Sequence, residues 1–207
     1  MPDNSRCLII FTRAPYPGQV KKRLIPALGV ERATRLYRDM IEKVLRTAGQ
    51  LTQVDVQVWI AGEQGNGFTN MIGRRHHFPC YPQQGNDLGQ RMQHAASSCL
   101  ENYANVVLIG CDCPGLTPGL LEKAFRWLEE NSGAVLGPAG DGGYYLIGLQ
   151  QANPSIFDDI QWGTGSVADC TRERFRECGI TWYELPVLRD VDRPEDLLAS
   201  GCPEVTV

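Results

Sequence analysis

Long apolar runs are missing from this 207-residue chain. Its longest, such as Cys7-Leu8-Ile9-Ile10-Phe11, fall far short of the ~20 residues needed to span a bilayer. That first run is also too short and too poorly flanked for a secretory signal. Histidine is scarce, and His76, His77 and His94 show no metal-ligand spacing. No Gly-x-Ser-x-Gly elbow occurs, which argues against a serine or cysteine hydrolase. Linker composition and internal repeats are absent too, so residues 1–207 read as one domain. Net charge is only -4 with 43% hydrophobic residues, which excludes a disordered chain. These absences leave a cytoplasmic globular protein, with neither a membrane nor a nucleic acid as partner.

Cysteine is present, eight times, without the spacing of a disulfide framework or a zinc site. Cys111-Asp112-Cys113 is the one close pair, and the thiols are expected to be reduced packing residues. Charge is present but uneven. Residues 1–46 carry ten Lys/Arg against four Asp/Glu, and the rest of the chain ten against twenty. A basic start on an acidic body points to a local anion site, whereas proteins that bind nucleic acid over a broad face are usually basic overall.

Short apolar runs alternate with amphipathic stretches. Strands are expected at Arg6–Thr12, at Val54–Ile60 (half-buried, from its alternation), near Phe78–Pro82, at Asn105–Gly110, Ala134–Gly137, Tyr144–Leu149 and Thr181–Leu185. Helical spacing runs from Val30 to Leu45 with Gly49 as its stop, and from Leu120 to Leu128 behind a Thr117 cap. Asp87 with Gln90 forms a capping box for a helix to about Asn102. A helix over Ser166–Cys178 and a short one after Asp192 complete the chain, and Gly62–Asn70 reads as a loop. Such alternation calls for an α/β fold, a mainly parallel sheet with helices on both faces. These sheets bind ligands beyond the C-terminal ends of their strands, where strand order reverses.

Four segments fall at that edge. The loop after the first strand has Pro15, Pro17 and Gly18 for a tight turn, with Arg13, Lys22 and Arg23 to neutralise phosphate charge. It matches neither the P-loop nor the dinucleotide fingerprint, and a solvated basic loop is the plainer alternative. Asp112 stands at the tip of a buried strand, where a carboxylate needs a cation or a donor; magnesium or manganese suits it, as does a turn role before Pro114. Asp141-Gly142-Gly143 allows close backbone approach to an anion or sugar hydroxyl, or is a tight turn. Asp190 and Asp192 compete as a second metal ligand, and Asp192 with Glu195 also matches a capping box. Trp162 suits stacking on a ring, although core packing is its commoner role.

Together these segments resemble the GT-A superfamily of nucleotide-diphospho-sugar transferases. More narrowly they resemble the bacterial radical-SAM/selenodomain-associated transferases, described also as arsenosugar-biosynthesis glycosyltransferases. The matching stretches are Phe11–Gly18 with Val20–Leu24, Gln84–Met92, Gly110–Pro114, Gly137–Tyr144 and Asp190–Asp192. The chain departs from the family where Lys22 replaces a usual Thr, where Arg193 replaces Thr after Asp192, and where Cys113-Pro114 follows Asp112 and leaves no second Asp for a full Asp-x-Asp.

The resemblance implies a single-domain Rossmann-like GT-A fold. It implies Arg13, Lys22 and Arg23 on a nucleotide diphosphate, and Gly85, Leu88 and Gly89 near base or ribose. It puts Asp112, with Asp190 or Asp192, on Mg²⁺ or Mn²⁺, and Asp141, Gly142 and Gly143 toward a second substrate. Asp112, Lys22 and Arg23 would carry the catalytic charge stabilisation. The expected activity is glycosyl transfer from a nucleotide sugar to a small acceptor. Nucleotidyl transfer from an NTP, with pyrophosphate release, is the alternative, and a non-catalytic nucleotide-binding module the third.

Overall fold

The computed structural model describes residues 5–62 and 66–199. Strand β1 (Arg6–Arg13) leads through α1 (Ile25–Ala48) to β2 (Asp55–Ala61), then α2 (Asn66–His76) and β3 (Cys80–Pro82). There follow α3 (Leu88–Leu100), β4 (Asn105–Ile109), α4 (Pro118–Glu130), β5 (Ala134–Pro138) and β6 (Tyr144–Leu149). A 3-10 turn at Pro154–Ile156, α5 (Val167–Glu177), β7 (Trp182–Glu184) and α6 (Pro194–Ala199) complete the described chain. The strands form one seven-stranded sheet in the order β3-β2-β1-β4-β6-β5-β7. All pairs are parallel except those of β6, which runs against both β4 and β5. The link from Ala139 to Gly143 is too short for a parallel crossover, which needs a dozen residues, so the chain must turn back.

Burial alternates along β1 between two cores. Leu8 and Ile10 join Ile41 and Leu45 of α1 and Phe125 of α4 on one face. Cys7, Ile9 and Phe11 join Met92 and Ala95 of α3 and Phe175 of α5 on the other. With helices on both faces, the central strands are buried on both sides and read as continuous apolar runs. Strand β2 is paired on both edges, so Val58, Trp59 and Ile60 are all buried; the expected half-buried strand is an interior one.

Other expectations need correction. Part of the expected Gly62–Asn70 loop is α2, with Ile72 wholly buried; residues 63–65 lie outside the described residues. Gly67 and Gly73 dilute its helical signal, since glycine disfavours helix interiors. Helix α1 begins before Val30, with a first turn interrupted at Gly29 (φ 75°). At α3 the Asp87 carboxylate accepts from the Gln90 amide as expected, but the Gln90 side chain returns to the Asn86 amide. The Asp192–Glu195 box does not form. Asp196 instead accepts from the amides of Asp192 and Arg193, and the Asp192 carboxylate is turned elsewhere. No helix among the described residues is long and apolar enough to cross a membrane.

Strand order reverses at β1, which stands between β2 and β4. The loops after β1 and β4 therefore diverge at one edge of the sheet. Because β6 is reversed, its β5–β6 loop lies at that same edge.

Candidate functional site

A cavity of about 450 Å³ opens at this edge. Arg13 and Arg23 of the first loop line it, with Asp112 after β4, Asp141 and Gly143 before β6, and Asp190 and Asp192 before α6. Four segments that are far apart in sequence thus meet in one cleft.

Lys21 joins three of them. It adopts a left-handed backbone (φ 46°), unusual for a residue with a side chain, which turns that side chain inward. Its side chain is only 4% exposed, and its Nζ lies 2.6 Å from Asp112 Oδ1. The same ammonium donates to the Val191 carbonyl at 2.6 Å, while the Val191 amide donates to the Asp112 carbonyl at 2.9 Å. Asp192 Oδ1 stands 3.9 Å away, and Asp192 Oδ2 accepts from Arg23 at 2.6 Å. Lys21 also sits over the Tyr37 ring, whose hydroxyl accepts from the Arg13 amide.

Lys22, expected here, is exposed and, like Lys21, lies outside the cavity lining; only Lys21 reaches Asp112. In a non-periodic loop, which of two adjacent lysines faces in depends on one backbone angle, and composition does not report it. Left-handed non-glycine residues concentrate at functional sites.

The acidic residues differ in their surroundings. Asp112 keeps a half-exposed carboxylate, with Oδ1 on Lys21. Asp190 has no ion pair among the described residues. Burial, and next the charge of Asp141, hold its carboxyl above the ordinary range, against the pull of its own backbone amide. Among the described residues, no three His, Cys, Asp or Glu side chains are gathered into a ready-made cation site. Lys21 lies between Asp112 and Asp192, and Arg23 is paired with Asp192.

The donor set nevertheless fits magnesium or manganese. It consists of oxygens, and the mutual repulsion at Asp190 is what a divalent cation relieves. Such ions commonly take only one or two carboxylates, with substrate phosphates and water completing the shell. The neighbouring thiols are unsuited to the task. Burial, and then Asp112, push the Cys111 thiol up to about 12, and Cys113 is raised by burial and Asp190.

The far end of the cleft is apolar. Leu88, 44% exposed, lines it with Met92, Tyr144 and Trp162. Gly89 lies beneath Trp162, where a Cβ would stand 2.6 Å from the indole Nε1. Gly85 is equally constrained: at φ 137° its Cβ would meet the Arg91 amide at 2.8 Å, and its carbonyl accepts from Arg91 Nε. Both glycines shape the wall, and Leu88 and Arg91 face the cavity. Trp162 lines the cleft and packs edge-on to Tyr144. In the β5–β6 loop the Gly143 amide donates to Asp141 Oδ1, and Gly142 (φ 86°) leaves no room for a Cβ against the Gly165 carbonyl.

The sheet order and the cleft at its reversal define a GT-A-like, Rossmann-type nucleotide-diphospho-sugar transferase fold. The chain belongs to the family described as "Uncharacterized protein conserved in bacteria (DUF2064)", whose profile matches residues 44–164. A protein of Desulfovibrio desulfuricans G20, provisionally assigned as a nucleotide-diphospho-sugar transferase, is 33% identical with a TM-score of 0.87, over 94% of this chain and 86% of its own. CMP:2-keto-3-deoxy-manno-octonic acid synthetase, solved with CTP, shares the fold at 12% identity and a TM-score of 0.60 over 94% and 96% of the two chains. The inositol-1-phosphate CTP transferase of T. maritima does so at 12% and 0.60, over 93% and 91%. No curated protein sequence matches this chain.

Proposed function

We propose that the protein is a metal-dependent GT-A-type transferase that moves a glycosyl group from a nucleotide sugar to a small acceptor. The observation that carries this reading is the convergence of Arg13 and Arg23 with Asp112 and Asp190 on one cleft, apolar at its other end, with the buried Lys21 paired to Asp112. Cations suit a diphosphate, and the Leu88–Trp162 end suits a flat ring. The motifs from Phe11 to Asp192 support membership of the radical-SAM/selenodomain-associated branch, and the 33% identical relative supports a nucleotide-sugar donor.

Asp112 and Asp190 are the residues that would hold Mg²⁺ or Mn²⁺, which supplies charge stabilisation at the diphosphate when bound. Asp192 is engaged by Arg23, so it acts as a clamp on that arginine. Lys21 holds Asp112 in place and lends a second positive charge. In the transfer, the acceptor oxygen bonds to the anomeric carbon as the bond to the diphosphate oxygen breaks, and the electron pair leaves with the diphosphate. Asp141, which lines the cleft, would accept the acceptor's proton. Positioning and electrostatics carry such a reaction, with no protein nucleophile needed.

Arg13 and Arg23 of the first loop also suit a triphosphate, which favours nucleotidyl transfer as the second reading. Products decide between them. Incubation with Mn²⁺, a panel of nucleotide sugars and bacterial small-molecule extract should release nucleoside diphosphate. Pyrophosphate release from an NTP would overturn glycosyl transfer in favour of the second reading. Binding without turnover, unchanged by Asp112→Ala, would leave a nucleotide-binding module.

A further inference from the structure

A second cavity of about 480 Å³ adjoins the first. Arg23, Asp141, Asp190, Asp192 and the Gly163–Thr164 turn line both, so the two share a wall. Its other side is formed by Arg189 and Arg193, which line only this cavity.

The two spaces differ in chemistry. The first has an apolar end, whereas every side chain lining the second is charged, a hydroxyl or a bare glycine. A nucleobase or another apolar group gains nothing there by burial. Asp141, Asp190 and Asp196 offer acceptors for hydroxyl groups, and Thr164 a hydroxyl of its own. Neither the Arg189 nor the Arg193 guanidinium forms an ion pair among the described residues, while Arg23 is taken by Asp192.

The backbone around both arginines is fixed. The Gly140 amide donates to the Leu188 carbonyl at 2.9 Å, and the Val191 amide to Asp112 at 2.9 Å. Asp196 receives the Arg193 amide at 2.7 Å. Two forks on a held segment suit a dianion with several oxygens, since each guanidinium offers paired N–H donors. Helix α5 starts at the shared wall. Its Ser166 hydroxyl pairs with Thr164 Oγ1 at 3.0 Å, and the Ala168 amide donates to the Gly142 carbonyl at 2.9 Å.

We propose that this second cavity is the acceptor site, and that the acceptor is a small polyol carrying a phosphomonoester. Arg189 and Arg193 hold the phosphate, and Asp141 and Asp196 hold the hydroxyls. The assignment as acceptor site rests on the transferase reading; the binding of a sugar phosphate does not.

Calorimetry tests the two separately. Glucose 6-phosphate, fructose 6-phosphate, glycerol 3-phosphate, glucose and gluconate are titrated into the full chain, alone and with a saturating nucleoside diphosphate and Mn²⁺. At least one phosphorylated polyol should bind, about tenfold or more tighter than the neutral sugar. Arg189→Gln and Arg193→Gln should each weaken it about tenfold and leave nucleoside diphosphate affinity unchanged. The phosphate compound should bind equally well with the nucleotide in place. Equal affinity for glucose, a preference for gluconate, unaffected arginine variants, competition with the nucleotide, or no binding by any phosphorylated compound each overturns the proposal. Failure of all nucleotides to bind, with sugar phosphate still bound through Arg189 and Arg193, overturns the transferase reading alone.

Discussion

Adjacent lysines with opposite fates make the sharpest test at the residue scale. Lys21 Nζ joins Asp112 and the Val191 carbonyl, so Lys21→Met strands a carboxylate and a carbonyl together. Half of the Asp112 side chain reaches solvent, which limits the penalty to about 1–3 kcal/mol, the range for losing a charged hydrogen bond. Urea unfolding should show a lowered midpoint with an unchanged slope, and nucleotide binding should fall with it. Lys22→Met should leave both alone. A variant pair with the reverse ranking would refute the inward orientation of Lys21. Basic composition in this loop was legible in the sequence. The identity of the buried lysine was not, because it follows from a left-handed backbone angle that neighbouring residue types do not dictate.

Whole elements were easier to read where burial imposed a pattern. Strands β1 and β4 are covered on both faces, so their apolar runs stood out; α2 contributes little more than Ile72 to the core and was hidden by glycines. The acidic loop before β6 was recognised as a segment, but its tightness comes from the α5 side. Gly142→Ala would place a Cβ 2.0 Å from the Gly165 carbonyl at φ 86°, so the two loops must separate. A loss of roughly 1–3 kcal/mol in unfolding free energy is expected, with weaker acceptor binding.

Edge strand β7 is tied to α5 by Arg172, which donates to both Glu184 oxygens. That arginine, outweighing burial, holds the Glu184 carboxyl below its ordinary range. A lowered folded pKa contributes stability above the unfolded value, and this is lost as pH falls through the folded one. Both side chains are partly exposed, so about 0.5–1 kcal/mol is at stake. Arg172→Leu should therefore be less stable than the natural chain at pH 7, and the gap should narrow as pH falls below the ordinary glutamate range. A gap that persists in acid would assign it to packing instead.

Across the whole molecule, the uneven charge of the sequence resolves into a few opposed groups at one cleft on an acidic body. Asp112 and Asp190 repel an approaching diphosphate unless a cation is bound, while Arg13, Lys21 and Arg23 attract it. On the proposed reading, nucleotide binding and metal binding are coupled. Ligand at a hundred times its dissociation constant adds about 2.7 kcal/mol to folding stability. For a chain of this size that corresponds to roughly 5–10 °C in melting temperature. A nucleoside diphosphate with Mn²⁺ should produce such a shift, EDTA should remove most of it, and Asp112→Asn should remove it with metal present. The unliganded variant should melt within a few degrees of the natural chain, since Lys21 retains Val191. A shift of the same size in EDTA would mean that the basic loop alone binds the phosphates, and Asp112 would then serve only as the partner of Lys21.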